Sequence, residues 1–427
     1  MKRTFTSYPV TDTGIVKQRM LNWSKQFSIF CLLNDQQPGV SSSFECLLGA
    51  GAIAKIEVEE GLAFESLQRF VDEQKDWCLG HLSYDLKNET EELTSSHEDN
   101  ILFPGLFFFV PEVLLLLKDK ELQIGVCDKD PDLIFKNILS TSPLSDQTPS
   151  SVKLTSRFSK EEYINTIEKL RGHILKGDCY EINFCQEFYN VNADIDPINA
   201  YNKLSSVSPN PFSALYRLNS KYLLCASPER YLKKSGSDII SQPIKGTAKR
   251  DLSDNTKDDR SKEELITSVK ERSENVMIVD LVRNDLSKVA DEATVKVTEL
   301  FGIYSFPQVH QMISTVAATL SPGCGLAEIF KATFPMGSMT GAPKKRVMEL
   351  IEKYERTKRG IFSGAIGYIS PEGDFDFNVV IRSIMYNAES KYVSVQVGSA
   401  ITFYCNAEDE YKECLLKLYA MEAALSS

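Results

Sequence analysis

The chain has 427 residues, enough for one large or two ordinary domains, and its 42% hydrophobic and 25% charged content is that of a soluble globular protein. A formal net charge of −11 leaves no basic surplus to neutralise phosphates, which argues against a nucleic-acid partner, whereas a small anionic substrate would need local cations or a metal. The most apolar stretch, 101–117, holds Pro104, Gly105, Pro111 and Glu112 and is too short for a clean membrane helix. No export signal follows Met1-Lys2-Arg3, the ten cysteines lack CxxC or framework spacing, and the four histidines are scattered; a reducing, cytoplasmic setting is expected.

Residues 1–140 alternate strand-like runs at 27–33, 52–58, 106–110, 113–117 and 122–126 with one helical stretch at 63–75, which predicts a sheet-rich region. The Ser, Thr and Pro content of 141–155 reads as an exposed linker, after which 156–427 forms the second region of the same fold. Ser159 with Glu162 makes a capping box that starts a helix running to about Lys176. Strands follow at 180–189, 212–218, 222–226 and 231–234. Ser261 with Glu264 reads as a second capping box, opening one long helix carried by Leu265, Val269, Val276, Val279 and Val282 to about Leu286. Helices at 326–333, 344–357 and 408–425 and strands at 361–369, 374–386 and 392–401 complete an α+β pattern.

Within this pattern, Ser241-Gln242-Pro243-Ile244-Lys245-Gly246-Thr247 places a lysine between a proline-fixed residue and a glycine. Pro243 restrains φ and Gly246 admits a close ligand, so Lys245 is expected on a rigid turn, where desolvation would ease loss of its proton and make it a nucleophile. A plain surface turn is the alternative. Gly337 to Lys344 is a glycine-rich turn entering a helix, suited to a carboxylate or phosphate, but without Walker A spacing. Glu410, Glu413 and Lys417 fall on one helical face, as do Glu271 and Glu274. Two such helices face to face would give an oxygen site suited to Mg²⁺, while a solvated salt-bridge face is the alternative reading. Glu229, at a strand end, can act as a proton donor or simply cap a surface turn with Arg230. Arg382, in an alternating strand, suits carboxylate binding if it faces a pocket.

Eight stretches run in one order over about 156–420: Gly177-Asp178-Cys179-Tyr180-Glu181-Ile182-Asn183, Ser227-Pro228-Glu229-Arg230, Pro243 to Thr247, Glu274 to Asp285, Gly337 to Lys344, Phe362 to Tyr368, Val380-Ile381-Arg382-Ser383 and Glu410-Tyr411-Lys412-Glu413. Together they resemble the chorismate-utilising enzymes, most closely those of the aminodeoxychorismate synthase component I type, and Gly80 to Asp85 extends the likeness into the first region. The resemblance implies two large, mainly antiparallel sheets packed as a sandwich with helices outside. It also implies Mg²⁺ held at Glu274 and Glu413, with Glu271 and Glu410 in or beside the shell. Thr247, Thr340, Gly341, Tyr368, Arg382, Gly398 and Lys417 match positions around the substrate, His310 a histidine beside the ring, and Glu229 the acid that assists loss of the C4 hydroxyl.

Lys245 then separates branches of that family. Anthranilate-forming members resemble this segment with Ala at that position, whereas a lysine implies covalent attack at C2 before ammonia enters at C4. Isochorismate and salicylate synthases place a water-activating lysine at the position of Glu181, which is acidic here. The implied reaction is C4 amination to 4-amino-4-deoxychorismate; anthranilate synthesis is the first alternative, isochorismate or salicylate synthesis and a non-catalytic binding subunit lesser ones. No glutaminase segment is recognised, so a separate glutaminase subunit is the expected partner and ammonia source. The chain departs from the family at Glu181 for Gln, at Ala400 in Gly398-Ser399-Ala400 and at Asn406-Ala407. Leu32-Leu33-Asn34-Asp35 departs from the tryptophan-contacting pattern, so tryptophan feedback is not implied.

Overall fold

The computed structural model describes residues 2–36, 44–143 and 151–426, so part of the expected linker at 141–155 lies outside the described residues. Among them, eleven helices and twenty strands occur, and every strand pairing is antiparallel within one hydrogen-bonded network. This is the expected α+β class. The two expected sheets are halves of that one network, joined by the long strands Cys46–Val58 and Leu106–Lys118. The far end of Leu106–Lys118 pairs with Glu121–Val126, its near end with Cys78–Leu82. The runs 106–110 and 113–117, read as two strands, are thus one strand. Pro111, which has no N–H to donate, lies opposite Ala52 beside a register shift between Ala52 and Ala54, and the bulge accommodates it.

Alternation along the strands divides the apolar side chains between two clusters. In Lys221–Ser227, Leu223 and Cys225 enter one cluster and Leu224 and Ala226 the other. The first gathers residues of both halves, among them Tyr216, Leu79, Ile366 and Phe377. The second is closed by helices, including Tyr163, Ile167 and Leu170 of Lys160–Leu175 and Cys414, Leu418 and Met421 of Ala407–Leu425. Burying each such large side chain contributes about 1.5–3 kcal/mol.

Three local differences from the sequence reading shape the site. The long helix expected from Ser261 is two, Asn255–Thr267 and Val269–Ser287, because Ser268 adopts an extended conformation and its side chain accepts the Glu271 N–H as a new N-cap. Ser261 lies inside the first and donates its hydroxyl to the Lys249 carbonyl. The strand expected over 374–386 breaks into Phe375–Val379 and Ser383–Asn387, with Arg382 between them at φ 51°. Lys245 lies not on a turn but in the strand Ile244–Lys249, whose pairing with Val309–Thr319 shifts between Ile244 and Thr247. Gly246 takes φ 94° at that bulge, a conformation that favours glycine. The strand Thr4–Pro9 and the helices Thr13–Ser24, Pro131–Ser140 and Pro197–Val207 have no counterpart in the sequence reading.

Candidate active site

The bulge turns Lys245 inward, where it is 8% exposed. Its Nζ donates to Glu181 Oε1 at 2.6 Å, and that glutamate, 1% exposed, opens the strand Glu181–Asn190 opposite Thr402 and Ala342. The pair corrects the expectation that Lys245 readily loses its proton. Burial does disfavour the ammonium, but the nearby carboxylates of Glu181, Glu274 and Glu229 outweigh it and push the Lys245 pKa above the usual lysine range. A neutral amine at this position requires proton transfer.

Glu229 follows the strand Lys221–Ser227, 5% exposed. Burial pushes its carboxyl up to about 7, opposed by a hydrogen bond with Ser338 and by the Lys245 charge. It can therefore hold a proton near neutrality and give it up, as a general acid must. Ser338 is itself fixed, since Asn183 Nδ2 donates to its carbonyl at 3.0 Å.

The carboxylate helices Val269–Ser287 and Ala407–Leu425 meet at Lys270, which lies 3.0 Å from Glu410 Oε1 and 3.9 Å from Glu274 Oε1. Burial pushes Glu274 up to about 8 and raises Glu271 and Glu410 as well. Glu413 is held below the ordinary carboxylate range; burial works the other way, but Lys417 at 2.7 Å prevails. Glu274 Oε1 and Glu410 Oε2 are buried with no hydrogen-bond partner. Such orphaned buried carboxyl oxygens would be satisfied by a cation, which would also favour their ionised form. No group of three or more His, Cys, Asp or Glu side chains forms a ready metal cluster among the described residues. The donor set nevertheless fits Mg²⁺, which takes oxygen alone and commonly uses one or two carboxylates, with waters and substrate completing its shell.

Arg382 is half-buried at the strand break and makes no ion pair among the described residues. Burial lowers its pKa, and the field of Glu413 opposes this, which puts the guanidinium beside the carboxylate helices. Lys417 donates to the Gly398 carbonyl at 2.7 Å. Gly398 has no room for a Cβ, which would fall 2.7 Å from the Phe184 carbonyl and 2.5 Å from Cys185 Sγ.

The structure thus brings together Lys245, Glu229, Glu271, Glu274, Glu410, Glu413, Arg382, Lys417 and Gly398. Three predicted residues, Tyr368, His310 and Thr340, make contacts with other protein groups, and a fourth, Thr247, is exposed. Tyr368, 9% exposed, packs its ring against Phe44 and Trp77, each at 5.4 Å. His310 is held at both ring nitrogens, by Ser305 at 2.8 Å and Asp258 at 3.1 Å. The fully buried Thr340 donates its hydroxyl to the Met336 and Gly337 carbonyls. Thr247 is exposed beyond the bulge. Gly341 is a packing requirement, since a Cβ there would collide with the Glu181 carbonyl, and Lys344 is tied to Asp285 at 2.6 Å.

Sequence reasoning did not find the partners: Glu181 for Lys245, Lys270 between the helices and Ser338 under Glu229. It also missed the buried pair Arg359 and Glu355, 2.6 Å apart. Arg359 donates to the carbonyls of Met339 at 2.7 Å and Asn183 at 2.8 Å, pinning the Gly337–Met339 turn to the Glu181–Asn190 strand. The i, i+4 spacing of Glu355 and Arg359 was the available signal.

A family profile described as chorismate binding enzyme matches residues 29–423. Aminodeoxychorismate synthase component 1 of Escherichia coli K12 is 34% identical over 344 residues, covering 80% of this chain and 75% of that protein. The protein of the same name from Bacillus subtilis is 31% identical over 375 residues, covering 82% and 76%. The crystal structure of anthranilate synthase component I from Streptococcus pneumoniae superposes with a TM-score of 0.78 at 23% identity, covering 91% of this chain and 95% of that one, which shows the shared fold. The carboxylate helices, the buried acid and lysine and a match over nearly the whole chain lead to one conclusion: the chain belongs to the chorismate binding enzyme family.

Proposed function

We propose that the protein replaces the C4 hydroxyl of chorismate with an amino group, giving 4-amino-4-deoxychorismate for 4-aminobenzoate and folate synthesis, with ammonia supplied by a glutaminase subunit. The observation that carries the reading is the juxtaposition of two buried groups with complementary tasks, Lys245 as nucleophile and Glu229 as acid. A binding protein needs neither. The name the relatives carry, aminodeoxychorismate synthase component 1, supports both the substrate and a second component.

In this reading Arg382 and Lys417 receive substrate carboxylates, and Glu229 protonates the departing C4 hydroxyl as Lys245 adds at C2. Glu274 and Glu413 would hold Mg²⁺, with Glu271 and Glu410 beside it, and the bound ion would neutralise and orient the ring carboxylate. Lys270, whose ammonium lies among these carboxylates, balances their charge and would have to yield to the ion.

The test is purified protein with chorismate, Mg²⁺ and ammonium, followed by mass spectrometry for a C4-amino product and by addition of a lyase that releases 4-aminobenzoate. Direct appearance of fluorescent anthranilate would transfer the chain to the anthranilate-forming branch. Independently of turnover, Mg²⁺ should raise the melting temperature of the wild type and not of Glu274→Gln.

A further inference from the structure

The Lys245 and Glu181 side chains, 9% and 1% exposed, form an ion pair closed off from solvent. Glu181 Oε1 accepts the lysine proton's hydrogen bond at 2.6 Å, and its other oxygen, Oε2, is buried without a partner. The strand carrying Glu181 is clamped between Thr402 and Ala342, so the carboxylate is held where it is. The other charged groups facing the pair are Glu229, Glu271 and Glu274 of the helix Val269–Ser287, and Glu413 of the helix Ala407–Leu425. All are carboxylates, and among the described residues Glu181 is the one hydrogen-bonded to Nζ.

We infer that Glu181 is the internal proton acceptor for Lys245, taking a proton from the ammonium as the amine becomes a nucleophile and returning it when the amine is released. The inference rests on the covalent role proposed for Lys245. The balance is complete without an outside base. Lys245 gives one proton to Glu181; its lone pair forms the Nζ–C2 bond, the ring double bonds shift, and the C4–O bond breaks with the Glu229 proton leaving in water. Ammonia then forms the C4–N bond, the Nζ–C2 electrons return to nitrogen, the new C4 ammonium reprotonates Glu229, and Glu181 returns its proton to Lys245. The sum is chorismate plus ammonia giving the amino product plus water.

A proton shared within the pair is available whatever the solvent pH, so adduct formation needs no prior loss of a proton to water. With glutamine at 181 the amine must lose its proton to solvent, and an ascending limb enters the pH profile. The experiment incubates wild type, Glu181→Gln, Glu181→Asp and Lys245→Ala with chorismate and Mg²⁺, without ammonium. Intact-protein mass spectrometry follows an adduct of chorismate less water between about pH 5.5 and 8.5, the window that brackets the Glu229 ionisation.

The wild type should show only the decline through about 7 that Glu229 imposes. Glu181→Gln should add an acid limb falling about tenfold per pH unit. Glu181→Asp should form adduct more slowly with the wild-type profile, which a merely structural role for the carboxylate would not produce. An unchanged profile in Glu181→Gln, or an acid limb in the wild type, overturns the inference while leaving covalent catalysis intact. Absence of adduct in the wild type, with ammonium turnover retained in Lys245→Ala, overturns the covalent role itself, and the inference with it.

Discussion

Replacing Glu229 by glutamine keeps the shape of the side chain and removes only its ability to ionise, so activity and stability should move in opposite directions. Glu229 is 5% exposed, and burial displaces its carboxyl from an ordinary 4.5 to about 7. At about 1.4 kcal/mol per pH unit, holding the ionised form in the fold costs about 3 kcal/mol. The sign follows from linkage: a carboxyl raised in the folded state contributes stability that is fully present below about 4.5 and lost as pH rises through about 7. Glutamine has no such loss, so between pH 5.5 and 8 the variant should lose about 2 kcal/mol less stability than the wild type, the rest of the cost having been incurred below pH 5.5. Apparent melting temperatures of both proteins at those two pH values measure the difference. Turnover with ammonium should fall about 10²- to 10⁴-fold, the ordinary contribution of a positioned acid. Wild-type turnover should itself decline through about pH 7, and the variant should lack that decline. A variant with near wild-type turnover would remove Glu229 from the chemistry. An unchanged dependence of stability on pH would refute the burial argument.

Arg382→Ala should raise KM for chorismate by about tenfold to a hundredfold with less effect on kcat, from the ~1.5–3 kcal/mol of a hydrogen bond to a charged group; a change confined to kcat would exclude carboxylate binding. Arg359→Met leaves Glu355 as an uncompensated buried carboxylate and should cost about 3–5 kcal/mol in denaturant unfolding, with a loss under about 1 kcal/mol contradicting that account. Gly398→Ala forces a methyl against Cys185 and the Phe184 carbonyl and should destabilise by about 1–3 kcal/mol, with poorer substrate binding as the carbonyl that fixes Lys417 shifts.

The elements legible in the sequence are those whose signal is local. The capping box of Ser159 and Glu162 starts its helix as expected, and the helix Leu326–Thr333 and the strand Phe212–Leu218 have the expected bounds. Errors arose where a local pattern met a tertiary demand. The apolar period running through Ser268 concealed a helix break, and the alternation through Arg382 concealed a left-handed residue where the chain passes between strands. Pro111 looked like a strand boundary because its remedy, a bulge opposite Ala52, lies on another strand.

The site divides along the same line. Spacing on a helix determined from sequence alone that Glu271 with Glu274, and Glu410 with Glu413, would share faces, and Pro243 and Gly246 marked an unusual backbone around Lys245. Only the tertiary structure decided that the two helices meet at Lys270, that His310 and Thr340 are hydrogen-bonded within the protein while the Tyr368 ring packs against Phe44 and Trp77, and above all that Lys245 faces Glu181, 64 residues away in sequence. A proton equilibrium depends on what lies within a few ångströms. That distance is set by the strand pairing which brings Glu181 beside Ala342 and Thr402, so no segment around Lys245 could disclose its charge.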